Sequence, residues 1–185
     1  MDFYLFQAIH AWVGRSPFLD GSMIFLAQWL TPLIIIIFAV VGIEQLWRAR
    51  KLPLPLVALI AGFVAWLLQY SISLAFFFPR PFAVLGFNPL ISHNPFDSSF
   101  PSGHASFLFG LAWYIFLIEP KKIKGIMALS LAMLISVARI YAGVHWPLDI
   151  VGGICVGVLS SCLVYLVLQR FRASRLHHVP KIIRW

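Results

Sequence analysis

The sequence predicts an all-α protein: a polytopic membrane bundle of about five transmembrane helices, preceded by a short N-terminal interfacial helix. Three observations carry that prediction. Hydrophobic residues make up 61% of the 185-residue chain and charged residues only 11%, and the mean hydropathy is +0.91, a balance no soluble domain could bury. The apolar residues fall in five runs, most of them long enough at roughly 1.5 Å per residue to cross a core of about 30 Å. The basic residues gather at the ends of those runs. The net charge of +8 therefore reads as topology, and no nucleic-acid partner is expected.

Taken in order, residues 1–18 are mixed. Phe3, Phe6, Ile9 and Val13 recur at near-helical spacing with Gln7, His10 and Arg15 between them, which reads as an interfacial helix or as a packed lead-in to the first span. Met1-Asp2 lacks the basic start of a cleaved signal peptide. A bundle of residues 19–168 follows. Its first span runs from about Gly21 to Ile43, with a kink expected at Pro32. The second covers about Pro55 to Phe78. The third, Ser102 to Ile118, is short, so its N-terminus is expected below the membrane surface. The fourth covers Ile123 to Ala142 and the fifth Pro147 to Leu168, leaving 169–185 as a basic tail.

Orientation follows from charge. Arg48, Arg50 and Lys51 fall in one loop, Lys121, Lys122 and Lys124 in another, and Arg170, Arg172, Arg175, Lys181 and Arg184 in the tail. With five spans all of these lie on one side, the cytoplasmic one by the positive-inside rule, and the C-terminus with them. Arg15, Arg80 and Arg139 are left on the outer side.

Three polar islands share that outer side. Pro79-Arg80-Pro81 ends the second span. Pro101-Ser102-Gly103-His104, with Asp97 just before it, opens the third with amides, a hydroxyl and an imidazole at a helix N-terminus, a place suited to an anion. Arg139 ends the fourth span, and His145 and Asp149 flank the start of the fifth, where Pro147 suits a first helical turn. Ionisable residues at membrane depth mark function. Two arginines without matching acids imply an anionic partner, and the planar guanidinium favours phosphate. Asp149 lies one turn after His145, within reach of an imidazole N–H; that bond would fix the tautomer and leave the other nitrogen free to attack. His104 could protonate a leaving oxygen. The set suits phosphoryl transfer through a phosphohistidine.

These motifs resemble the type 2 phosphatidic acid phosphatase superfamily of membrane lipid phosphatases, whose signature is Lys-x6-Arg-Pro, Pro-Ser-Gly-His and Ser-Arg-x5-His-x3-Asp. Arg80-Pro81, Pro101-Ser102-Gly103-His104 and Arg139-x5-His145-x3-Asp149 match it. The resemblance implies His145 as nucleophile, Asp149 orienting it and His104 as general acid. It implies Arg80, Ser102, the Gly103 amide and Arg139 on the phosphoryl oxygens, with no metal and no cofactor. Ser73 stands where the family has its lysine, and Ala138 where it has serine; His93 and Arg15 are candidates for the missing cation. The short chain, the five-span layout and the Phe-x-x-Pro-Arg-Pro-Phe run at Phe76–Phe82 look most like the bacterial undecaprenyl-diphosphate phosphatase branch. That implies a plasma-membrane enzyme with an outward-facing site, recycling the cell-wall lipid carrier. Phosphatidylglycerophosphate, phosphatidate and diacylglycerol diphosphate compete as substrates, and the loop from Pro79 to Pro101, with Asn88, His93, Asn94 and Asp97, would set head-group preference.

Two other classes stand beside this one: an anion or lipid transporter, which needs no His–Asp pair, and a metal site on His104, His145 and Asp149, which two arginines disfavour. Gly153-x3-Gly157 with Ser160 and Ser161 reads as packing within one protomer rather than dimerisation. Cys155 and Cys162 are two turns apart, too far for a disulfide. His177 and His178 alone make no metal site, and the tail reads better as drawn to anionic lipid.

Overall fold

The computed structural model describes residues 2–49 and 52–177. Arg50, Lys51, Lys181 and Arg184, which carry part of the charge argument, lie outside the described residues, as does His178. Among the described residues all regular structure is helical: α1 (Asp2–His10), α2 (Pro17–Ala49), α3 (Leu54–Ala75), α4 (Pro81–Leu85), α5 (Gly103–Ile118), α6 (Ile123–Tyr141) and α7 (Pro147–His177). By length and composition α2, α3, α6 and α7 can cross a membrane, and α5 is a shorter apolar helix. The protein is a multi-pass membrane bundle.

Several boundaries differ from expectation. The first span starts at Pro17, where Ser16 caps the helix by accepting from the Leu19 amide at 3.4 Å. The fifth continues past Leu168 to His177, so the start of the basic tail is helical. No break marks Pro32. The irregularity lies a turn earlier, as a π-helical stretch from Phe25 to Trp29, closed by the Leu30 amide bonding Phe25 O. Pro32 has no N–H to offer the Gln28 carbonyl, and the widened turn absorbs that loss.

Helix α5 is the centre. It packs against α7, α3 and α6, and every residue from Ala105 to Ala112 is buried. Lipid is as apolar as these side chains, so close packing rather than water exclusion holds the helices together. The expected stripe does this within the chain. A Cβ on Gly157 would lie 2.7 Å from both the Gly110 amide and the Ser106 carbonyl, and the Ser161 hydroxyl donates to Gly110 O. At the far end Lys122 Nζ donates to the carbonyls of Phe116 and Leu117 at 2.8 and 3.1 Å, a cation closing the C-terminus of α5. Leu33, Ile36, Ile37 and Val40 of α2 face outward, as lipid-facing residues do.

The opposite end is held by loops. Phe6 of α1 is buried against His10, Phe87 and Trp146. Asp2 Oδ1 accepts from the Leu148 amide at 2.9 Å, capping α7. His10 Nδ1 donates to Tyr141 O at 2.8 Å. Ser98 accepts from the Phe78 amide at 3.1 Å and donates to Phe76 O at 3.0 Å, and the Ser99 amide donates to Phe78 O at 2.8 Å. These bonds tie the run into Pro101 to the end of α3.

Candidate active site

The three polar islands converge at this loop end. His145, in the turn before α7, is 3% exposed and lies with Nδ1 3.3 Å from Asp149 Oδ2. The i, i+4 spacing across the start of a helix makes that contact local. The same carboxylate oxygen accepts from the Trp146 amide at 2.8 Å, and the other accepts from Ser99 Oγ at 3.4 Å. The carboxylate is thus held from three directions. With Nδ1 donating to Asp149, Nε2 keeps the lone pair.

The Pro-Ser-Gly-His stretch is stitched to this pair through the backbone. The Ser102 amide donates to Asp149 O at 2.9 Å, so it is not one of the free donors expected there. The first-turn amides from Gly103 onward have no carbonyl a turn earlier to bond. Ser102 is fully buried, and its hydroxyl neither caps α5 nor has another partner. His104, the second residue of α5, opens into a pocket of about 400 Å³ shared with Thr31, Ile35, Phe63 and Trp66.

Both arginines are buried without an ion-pair partner among the described residues. Arg80, the N-cap of α4, donates through Nη1 to Val144 O at 2.9 Å and through Nη2 to Ser98 O at 3.1 Å. Arg139 donates through Nη1 to Ala27 O at 3.1 Å, a carbonyl within the π-helical stretch of α2, and through Nη2 to His93 Nε2 at 2.7 Å. A guanidinium has no acceptor, so His93 takes that bond with its lone pair. Neither arginine forms an ion pair among the described residues, and the Nε of each is buried without a partner. A buried charge left so demands an anion. Two guanidinium Nε groups, the Ser102 hydroxyl and the first-turn amides of α5 are the donors on offer.

The electrostatics keep the imidazoles of His145 and His93 neutral in the free site. Burial, then the charges of Arg139 and Arg80, hold His145 well below the ordinary imidazole range, with His104 and His93 adding to the effect. His93 is lowered to about 4 by burial, then Arg139, then Arg80. Burial also lowers Arg80, against the opposing pull of Asp149 and Asp97.

Of the candidates for a third cation, His93 reaches the site, but as a neutral acceptor. Arg15 does not: it is exposed, stacked on Trp12. Ser73 donates to Phe100 O at 3.0 Å and accepts from Gln69 Nε2 at 2.6 Å, which makes it a brace for the Pro101 loop. Asp97 bonds Asn94 at 3.2 Å. Among the described residues no three His, Cys, Asp or Glu side chains gather as metal ligands. Sequence reasoning missed Ser99, Gln69 and the Ala27 carbonyl. Ser99 lies in the polar island just before Pro101 and was open to notice; nothing in the sequence marks Ala27.

This fold and site define a membrane phosphatase: the chain matches the model of the PAP2 superfamily over residues 50–173 and belongs to that family. It is 28% identical to the undecaprenyl-diphosphatase BcrC of Bacillus subtilis, over 89% of this chain and 83% of that one. It is 34% identical to the bacitracin transport permease protein BcrC of Bacillus licheniformis, over 80% of this chain and 70% of that one. The crystal structure of LpxE from Aquifex aeolicus superposes with a TM-score of 0.67 at 29% identity, covering 89% of this chain and 94% of the other.

Proposed function

We propose that this protein hydrolyses undecaprenyl diphosphate to undecaprenyl phosphate and inorganic phosphate at the outer face of a bacterial plasma membrane. The observation that carries the chemistry is the buried His145–Asp149 pair beside two guanidinium groups that lack an acid. His145 Nε2 attacks the terminal phosphorus, the P–O bond to the bridging oxygen breaks, and its electron pair leaves on that oxygen with a proton from His104. The imidazolium formed on His145 is balanced by Asp149. Arg80, Arg139, the Ser102 hydroxyl and the Gly103 amide hold the equatorial oxygens, where charge spreads in the transition state. Water, deprotonated by His104, then breaks the P–N bond and releases phosphate.

The direction of attack supports a place for the lipid tail. In an in-line displacement the leaving oxygen faces the general acid, so the lipid continues on the His104 side. The pocket there is lined mainly by apolar side chains of α2, α3 and α5. A second pocket, of about 620 Å³, lies behind Asp149 on the nucleophile's side, away from the leaving group. The outward orientation rests on the basic residues at the other end of the bundle, and the polyprenyl substrate on the similarity to the Bacillus subtilis diphosphatase.

One relative carries a transport name, yet a permease has no use for a His–Asp pair with both carboxylate oxygens held. The test is a panel of lipid mono- and diphosphates offered to the purified protein in detergent, with phosphate release measured in the presence of chelator. Undecaprenyl diphosphate is expected to lead. Preference for phosphatidylglycerophosphate or phosphatidate would move the substrate assignment, and no release from any lipid would overturn the phosphatase.

A further inference from the structure

His93 has no part in the scheme above, although its half-buried imidazole stands directly on one of the two phosphate-binding cations. We propose that His93 is a further substrate-binding residue, which occupies Arg139 Nη2 in the free site and turns to donate a hydrogen bond to the phosphoryl group when that group takes its place on Arg139. The inference rests on the phosphatase reading and adds to it a donor that changes protonation with occupancy.

Arg139 Nη2 donates to His93 Nε2 at 2.7 Å, so in the free site Nε2 carries no proton. A phosphoryl oxygen arriving at the same guanidinium becomes its acceptor. His93 Nε2 then faces an anion with its lone pair, a repulsive arrangement unless it takes up a proton. Burial, then the charges of Arg139 and Arg80, keep it neutral, and His145 and His104 are close enough to feel its charge. A bound phosphate, carrying about 1.5 to 2 negative charges near pH 7, offsets the two guanidinium charges, and its oxygen gives an imidazolium N–H a direct acceptor, both of which favour a proton on the ring. One proton from solvent therefore enters with the ligand, and the imidazolium N–H completes the set of donors. The position suits that exchange, since His93 lies on the long loop between α4 and α5 rather than on a span.

Calorimetry of inorganic phosphate binding to the full-length protein in detergent tests this without any lipid. Titrations near pH 7 in two buffers of different ionisation enthalpy give both affinity and protons taken up. His93→Gln keeps an acceptor for Arg139 and cannot protonate; His93→Lys supplies a permanent cation. Wild type is expected to take up about one proton more per phosphate than either variant. His93→Gln should bind roughly ten- to a hundredfold more weakly, the worth of one charge-assisted hydrogen bond, and His93→Lys should recover most of that loss. Equal affinity, or weaker binding with unchanged proton uptake, in His93→Gln overturns the proposal and leaves the phosphatase standing. Should His93→Gln not fold, His93→Lys decides alone: tight binding without the extra proton supports the proposal, and wild-type proton uptake overturns it. A wild-type protein that binds no phosphate overturns the proposal, while release from the lipid panel decides the phosphatase separately.

Discussion

The Ser102 amide donates to the backbone carbonyl of Asp149 at 2.9 Å, so the residue that opens α5 and the residue that orients His145 share one rigid junction. Gly153, a turn further along α7, leaves room for it: a Cβ there would lie 2.9 Å from Ser102 O. The proposed acid, in the first turn of α5, and the proposed nucleophile, just before α7, thus stand at two helix N-termini locked together, which fixes their spacing. Ser99 completes the junction by reaching the Asp149 carboxylate from the loop side.

His145→Ala and His104→Ala are each expected to lower turnover of undecaprenyl diphosphate about a thousandfold or more, as members of one catalytic unit do. The folded state, read by thermal melting in detergent, should be unchanged. Ser99→Ala removes only support for Asp149 and should cost about tenfold. Full activity in His145→Ala would falsify the covalent mechanism.

The acid limb of kcat/KM should lie below the usual imidazole range, because burial and two arginines favour the neutral, nucleophilic form of His145. The sign for a variant follows. Arg139→Gln removes the largest charge acting against the imidazolium, so the pKa of His145 rises and the acid limb moves to higher pH. A pH profile with a soluble short-chain diphosphate measures the shift on the residual activity. An unmoved limb would mean that the charge of Arg139 does not set the protonation of His145.

A tail lying on the His104 side makes Ile35 a wall of its groove. Ile35→Trp should raise KM for the long polyprenyl diphosphate roughly tenfold while leaving a short-chain diphosphate nearly unaffected. Val151→Trp, which fills the pocket behind Asp149, should change neither. The opposite pattern would place the tail on the nucleophile's side.

Gly157→Val tests the packing of α5 on α7. Its Cβ would meet backbone at 2.7 Å, which no side-chain movement relieves, so the helices must part. Overpacking of this kind costs on the order of 1–3 kcal/mol, which should appear as a melting temperature several degrees lower. The same substitution at Gly21, where nothing lies within 4 Å, should do far less.

The sequence by itself determined what is local or periodic. Apolar runs of the right length locate the spans, because a membrane demands them. The His145–Asp149 contact was legible because four residues at a helix start bring two side chains together in any fold. The Pro-Ser-Gly-His stretch was legible because a helix N-terminus carries its donors wherever it stands. The tertiary structure decided what depends on chain segments far apart. It put the Ala27 carbonyl under Arg139 across 112 residues, through a π-helical stretch that replaced the expected break at Pro32. It set Ser73 and Gln69 to bracing a loop, and brought His93 to the site as an acceptor. No periodicity encodes such pairings, since each depends on how the helices around α5 pack and on where the long loop between α4 and α5 folds back across them.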